Sequence, residues 1–297
     1  MSLPPGARIC SLLLAVVGAV TAAAPQVIRS SVNTVSIYAT VTDAKGSNVT
    51  DLKAGDFQID DNGRRQSITV FKSDVQPVSV AVLLDVSPSQ FPVAARTQGA
   101  VIQFVQRLLP ADRATVGTFS HVVTLNPEMT NDPDALIRRL GDDAPFPAGT
   151  ALWDAIDAGR IAVSVADGRR VILVMTDARD NASVADIDAV RTAVERSDVM
   201  VYGIGVRGRE GVEASEMRAL TRATGGWYFE LRPTDDMATV AARVADELHR
   251  QYVIGFSPTT LDGRRHKLDV TTKKSGLTVR ARRSYLAGPA ADGGEVR

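Results

Sequence analysis

Between Pro77 and about Gln251, apolar runs of strand length alternate with segments of helical period, and that alternation constrains the fold more than any other feature. "SVAVLLD" and "RRVILVMTD" are nearly continuous aliphatic runs, each closed by an aspartate. A strand apolar on both sides must be covered on both faces, as in a parallel sheet. "AARTQGAVIQFVQRLL", "ALWDAIDAGRIAVS" starting from about Thr150, "SVADIDAVRTAVERS", "EASEMRALTRAT" and "DDMATVAARVADELHRQ" repeat apolar residues near 3.6 and are predicted helices. The short "DPDALIRRL" joins them, with Pro133 in its first turn. "ATVGTFS", "VVTLN", "VMVYGIGV" and "GWYFEL" supply the remaining strands. Strict alternation of this kind predicts an α/β class domain, residues 77–250, built on a doubly wound, mostly parallel sheet.

The rhythm differs on either side. Residues 25–76 contain "VNTVSIYATVTDAKGSNV" and "FQIDDNGRRQSITVFKS", where β-branched residues recur at every second position around turn signals at Lys45-Gly46 and Asn62-Gly63. Residues 251–286 are β-like again, with turns at Asp262-Gly263 and Ser275-Gly276. Each flank is too small to bury a core alone, so the two are expected to pair into one small β domain. The Gly/Ala-rich tail, 287–297, is expected to be disordered.

Residues 1–24 read as a secretory signal peptide: Arg8, an apolar run from Ile9 to Val20, and the small-residue exit Ala22-Ala23-Ala24. The run is short for a membrane span, so no span is expected after cleavage, and the protein is expected to be exported, either periplasmic or extracellular. Cys10 is the only cysteine. A mature chain without it has no disulfide, thiol catalysis or cysteine-bound zinc. Formal net charge is zero, so nothing global draws the chain to nucleic acid.

Two strands end in aspartate, Asp85 and Asp177, at the sheet edge where ligands bind. Ser87 and Ser89 follow Asp85 at alternate positions, and Thr150 sits after a Pro/Gly loop at a helix start. Asp85, Ser87, Ser89, Thr150 and Asp177 together make an all-oxygen set, which suits a hard divalent cation, Mg²⁺ or Mn²⁺. Taken alone, Asp85-x-Ser87-x-Ser89 also fits capping of the next helix.

"DVSPS", "AGTALWDAI" and "MTDARDN" resemble the three loops of the metal-ion-dependent adhesion site (MIDAS) of von Willebrand factor type A (VWA) domains, over roughly residues 77–250. The resemblance implies a Rossmann-like VWA fold. It implies that Ser87, Ser89 and Thr150 offer hydroxyls to the ion, and that Asp85 and Asp177 bind it directly or through water. It also implies a protein partner whose acidic residue completes the coordination. Pro88, Gln90 and Ala148 depart from the usual loop residues, which leaves metal preference open. The flanks are similar to those of exported VWA-related proteins abundant in Acidobacteria.

A binding protein fits the residues better than an enzyme. A metal hydrolase needs a base beside an activated water, and none of His121, His249 and His266 follows a metal loop closely. Ser87 stands where an aspartyl-phosphate phosphatase would want a second aspartate. Gly203-x-Gly205-x-x-Gly208 imitates a dinucleotide fingerprint, but "RGREGVEAS" delays the helix that would face a pyrophosphate. The expected function is protein–protein interaction or adhesion through the metal. The alternative is a structural or assembly scaffold of the cell envelope in which the metal only stabilises loops. The basic C-terminal flank, which includes Arg264, Arg265, Arg280, Arg282 and Arg283, reads as a solvated β face or as a second contact surface.

Overall fold

The parallel sheet forms where the aliphatic runs predict it. The structure, a computed structural model, describes residues 34–141, 148–166, 168–206 and 214–288. Four short strands come first: β1 (Val35–Thr42), β2 (Phe57–Asp61), β3 (Arg64–Gln66) and β4 (Val70–Lys72). The alternating region follows as β5 (Val78–Asp85), α1 (Ala94–Val105), β6 (Arg113–Phe119), β7 (Val123–Leu125), α2 (Pro133–Arg138) and α3 (Leu152–Ser164). It continues as β8 (Arg169–Met175), α4 (Ile187–Arg196), β9 (Met200–Val206), α5 (Ser215–Thr224), β10 (Tyr228–Leu231) and α6 (Met237–Leu248). Strands β11 (Tyr252–Phe256), β12 (Arg264–Thr272), β13 (Thr278–Arg280) and β14 (Ser284–Ala287) end it. The signal segment 1–24, Gly208 and most of the 287–297 tail lie outside the described residues; Ala287, counted with the tail by composition, closes β14 and is buried.

Six strands make the central sheet in the order β10-β9-β8-β5-β6-β7, with only β7 antiparallel to its neighbour. Every residue of β5 is buried, which explains its lack of polar breaks. Its alternate residues serve two cores: Val80, Val82 and Leu84 pack with Phe104 and Val244, while Ala81 and Leu83 pack with Leu152 and Ile156. From β5 the chain winds outward to β6, then returns to the other side as β8. The crevice at the carboxyl ends of β5 and β8 is therefore the switch point where such sheets hold ligands.

The flanks form two antiparallel sheets, β13-β1-β11-β4 and β14-β12-β2-β3, and each mixes strands from both sides of the alternating region. Asn62 and Gly63 have φ 48° and 78°, the paired left-handed conformation of a tight hairpin turn between β2 and β3. Ile37, Phe57, Ile59, Tyr252, Phe256 and Tyr285 make one core between the sheets. Neither flank holds enough of these residues to bury them alone.

The flanks attach at the edge where the parallel strands begin, and they do so through buried polar groups. Gln251 donates to Thr40 Oγ1 at 2.7 Å and to Tyr202 Oη at 3.0 Å, and accepts from Arg169, which lies 4.8 Å over the Tyr38 ring. Burial pushes the Arg169 pKa down to about 10, still charged at neutral pH. The basic flank is not a solvated face throughout. Arg280 pairs with Glu247, Arg282 with Asp198, and Arg265 with Glu195 at 2.7 Å. Pairing of this kind is legible only once the acids of α4, α6 and the turn before β9 are placed beside it.

Asp112 ties three elements at the same edge. Its carboxylate accepts from Val78 N at 3.0 Å, Leu109 N at 2.7 Å and His249 Nε2 at 2.7 Å. Burial alone would raise its pKa, but these hydrogen bonds together outweigh burial and hold the carboxyl below its ordinary value. Asp112→Ala is expected to cost about 3 kcal/mol, from unsatisfied buried donors, or roughly 6–12 °C in Tm for a chain of this size. A depressed folded-state pKa contributes stability above the ordinary carboxylate value, about pH 4, and loses it as pH falls through the folded value. The wild-type advantage in thermal melts should therefore be full at neutral pH and shrink in acid.

One helix starts later than its pattern predicts. Helix α4 begins at Ile187 with Asp186 as its cap, accepting from Ala189 N at 2.9 Å, rather than at Ser183. Residues 183–185 are held elsewhere, at the start of α3.

Candidate metal centre

Asp85 is the last residue of β5 and is 2% exposed. Its Oδ1 accepts Ser87 N at 2.9 Å and its Oδ2 accepts Thr176 Oγ1 at 2.7 Å, which joins the ends of the two strands that flank the switch point. Burial pushes this carboxyl up to about 6, against hydrogen bonds from Ser87 and Thr176, and the charge of Asp177 adds to the rise. A buried acceptor-only group beside a second carboxylate is stabilised by a cation.

Ser87 begins a 3-10 helix over Pro88–Val93, yet its side chain makes no capping bond. Its Oγ lies 3.2 Å from Ser89 Oγ instead. The capping explanation therefore fails for Ser87. Pro88 occupies the first helical position, where a missing N–H costs nothing. Gln90 is buried, donates its backbone N–H to Ser87 O at 2.9 Å, and sets its amide 3.5 Å from Ser89 Oγ. The two departures from the usual loop thus shape it without removing an oxygen.

Thr150 is buried and precedes α3, but the open N–H groups of that helix are taken by other side chains. Leu152 N donates to Asp180 Oδ1 at 2.9 Å, and Trp153 N donates to Ser183 Oγ at 3.0 Å. Asn181 Oδ1 accepts Thr150 N at 2.8 Å, and Thr150 O accepts Asn181 N at 3.0 Å. Asp154 in turn accepts Val184 N at 3.0 Å and Ala185 N at 2.8 Å. The Thr150 loop is tied to β6 as well, through Ala151 N to Ser120 O at 2.6 Å. At Gly149, φ +94°, a Cβ would lie 3.1 Å from the Cβ atoms of both Ala182 and His121, so glycine is required there.

Asp177 follows Thr176 at the end of β8, partly exposed, with Arg179 Nε 4.0 Å from its carboxylate. Ala178 then turns the chain sharply with φ 68°, a strained conformation for a residue with a side chain. Beneath the turn, Tyr228 donates to Thr176 O at 2.8 Å, and burial above all raises its pKa. Gly205 makes this possible: a Cβ there would meet Thr176 O at 2.1 Å and Tyr228 Oη at 2.3 Å. Gly203 and Gly205 thus admit a tyrosine rather than a dinucleotide.

The set of five is brought to one edge: Asp85, Ser87 and Ser89 by bonds within their loop, Asp177 through Thr176, and Thr150 through Asn181 and Ser120. Among the described residues no cluster of three His, Cys, Asp or Glu side chains exists, so a cation site here depends on hydroxyls. Asp85, Ser87 and Thr150 are buried while Ser89 is exposed, which leaves the group open on one side. The same edge carries exposed apolar residues on three loops: Phe91 at 66%, Val122 at 57% and Val184 at 94%. His121, beside Gly149, joins them. His266 lies elsewhere, buried between Asp61 at 2.9 Å and Asp262 at 3.2 Å.

The sequence matches no family model and no curated protein. Solved structures do match. A von Willebrand factor type A protein from Catenulispora acidiphila is similar at 14% identity and TM-score 0.53, over 78% of this chain and 73% of that one. Proximal thread matrix protein 1 from the mussel byssus is similar at 17% identity and TM-score 0.51, over 62% of this chain and 49% of that one. At such identities the likeness concerns the fold. With its doubly wound sheet, helices on both faces and loops gathered at the switch point, this chain carries the von Willebrand factor type A fold.

Proposed function

We propose that the protein is an exported, periplasmic or extracellular, non-enzymatic binding protein that holds a partner through a divalent cation, Mg²⁺ or Mn²⁺. Asp85, Ser87, Ser89, Thr150 and Asp177 would hold the ion, and its remaining affinity for oxygen would accept a carboxylate from the partner. The observation that carries this reading is the buried Asp85 carboxylate beside hydroxyls that cap no helix. Three neutral oxygens and two carboxylates suit a hard cation and leave it electrophilic. Phe91, Val122 and Val184 supply apolar contact area around it, as interaction surfaces do. Among the described residues no helix is long and apolar enough to cross a membrane.

The loops are already laced by Asp154, Asp180, Asn181 and Ser183, so a cation is not needed to stiffen them. This weighs against the scaffold alternative. The test is capture of partners from envelope extract on immobilised protein, with Mg²⁺ against chelator. Proteins retained only with Mg²⁺, and lost with Asp85→Ala, are the expected result. Identical retention in all three conditions would leave the scaffold reading in its place.

A further inference from the structure

At the opposite edge from Asp85, where α5 ends and β10 begins, β13 and α6 enclose a cavity of about 550 Å³. Its lining has two chemical halves. Trp227 and Phe229 are half-buried aromatics, and Arg222, Arg243, Arg280 and Arg283 are guanidinium groups. Among the described residues Glu247 is the one carboxylate in the lining, and it is already paired with Arg280. Arg243 donates to a neutral carbonyl, Gly46 O, at 3.1 Å. Arg222 and Arg283 make no ion pair among the described residues. The cavity therefore keeps an excess of positive charge within a chain of zero formal net charge.

Arg222, Arg243 and Arg283 are exposed along its wall, where an anion can reach them. Burial lowers the Arg280 pKa, and the nearby charge of Arg243 lowers it further. Arg222 and Arg280 each lie 5.5 Å from the Trp227 ring centroid, so the aromatic surface and the cationic groups form one continuous wall. A ligand with an anionic head and a flat apolar body matches both halves, and the volume falls in the range of small-molecule sites. We infer that this cavity, formed by Trp227, Phe229 and the arginines around them, binds a small organic anion with an aromatic body.

The chain has two tryptophans, so Trp153→Phe leaves Trp227 as the only indole reporter. The probe is 8-anilinonaphthalene-1-sulfonate, added to the folded full chain in chelator. Saturable one-to-one binding with energy transfer from Trp227 is expected. N-phenyl-1-naphthylamine, which has the rings without the charge, should bind at least tenfold more weakly, and sodium sulfate should compete poorly. Arg222→Glu with Arg283→Glu should weaken the probe at least tenfold while the circular dichroism spectrum is retained. Should that pair misfold, exposed Arg283→Glu alone is read for the same loss. Absence of saturable binding, equal affinity for the neutral probe, or affinity unchanged in the folded variant would each overturn the inference.

Discussion

Removal of residues 252–286 is expected to make the protein aggregate. Strand β1 lies between β11 and β13, so it loses both neighbours, from the Val35–Phe256 pair to the Thr42–Thr278 pair. Strand β2 loses β12 along its whole length, from Phe57 to Asp61. Ile37, Val41, Phe57 and Ile59, all between 0% and 3% exposed, would then face water. At about 1.5–3 kcal/mol per side chain, their exposure costs on the order of 10 kcal/mol, as much as a typical domain's whole stability. The unpaired edges of β1 and β2 would then be templates for other copies. Light scattering and amide exchange over 35–72 read the outcome directly. A monomer that keeps native-like protection in β1 and β2 would refute the shared core.

The central strands, and the sheet edge at which Asp85 lies, were legible because each depends on local pattern. A run such as "SVAVLLD", short for a helix and closed by an aspartate, reads as a strand buried on both faces that ends at the sheet edge. The lacing of the loops was not legible, since Asp180, Asn181 and Ser183 act on Thr150, Leu152 and Trp153 about thirty positions earlier. The same trans-capping withholds Ser183 from α4, so the helix that its sequence invites starts at Ile187 instead. A short run of Asp, Asn and Ser after an apolar strand, opposite a helix whose own first residues cap nothing, is the signal that would have found them. Thr176, next to Asp177, carries no signal in the sequence, because a threonine at a strand end has ordinary explanations; its bond to Asp85 exists only once β5 and β8 are neighbours. His121 stands apart in the chain from all three of these loops, yet the β6–β7 turn sets it beside Gly149. The arginines of the C-terminal flank were ambiguous for the same reason, with partners on α4, the turn before β9, and α6.

Divalent cations are expected to bind the five-oxygen set. Asp85→Ala is the decisive variant because it removes a carboxylate of the proposed set, and with it a buried charge that the chain holds at a cost, its carboxyl pushed up to about 6. The variant is therefore expected to fold while losing the ion. Ser89→Ala should weaken binding less, since Ser89 is exposed and water can replace a neutral hydroxyl. Binding to the folded state alone stabilises by about 1.4 kcal/mol at tenfold excess over Kd, or roughly 3–6 °C in Tm. The most direct measurement is titration calorimetry with Mg²⁺ and Mn²⁺ on wild type and Asp85→Ala, paired with thermal melts in each ion and in chelator. A single saturable site with a matching rise in Tm, both abolished by Asp85→Ala, is the predicted result. No heat of binding in wild type, with identical melts in Mg²⁺, Mn²⁺ and chelator, would contradict it.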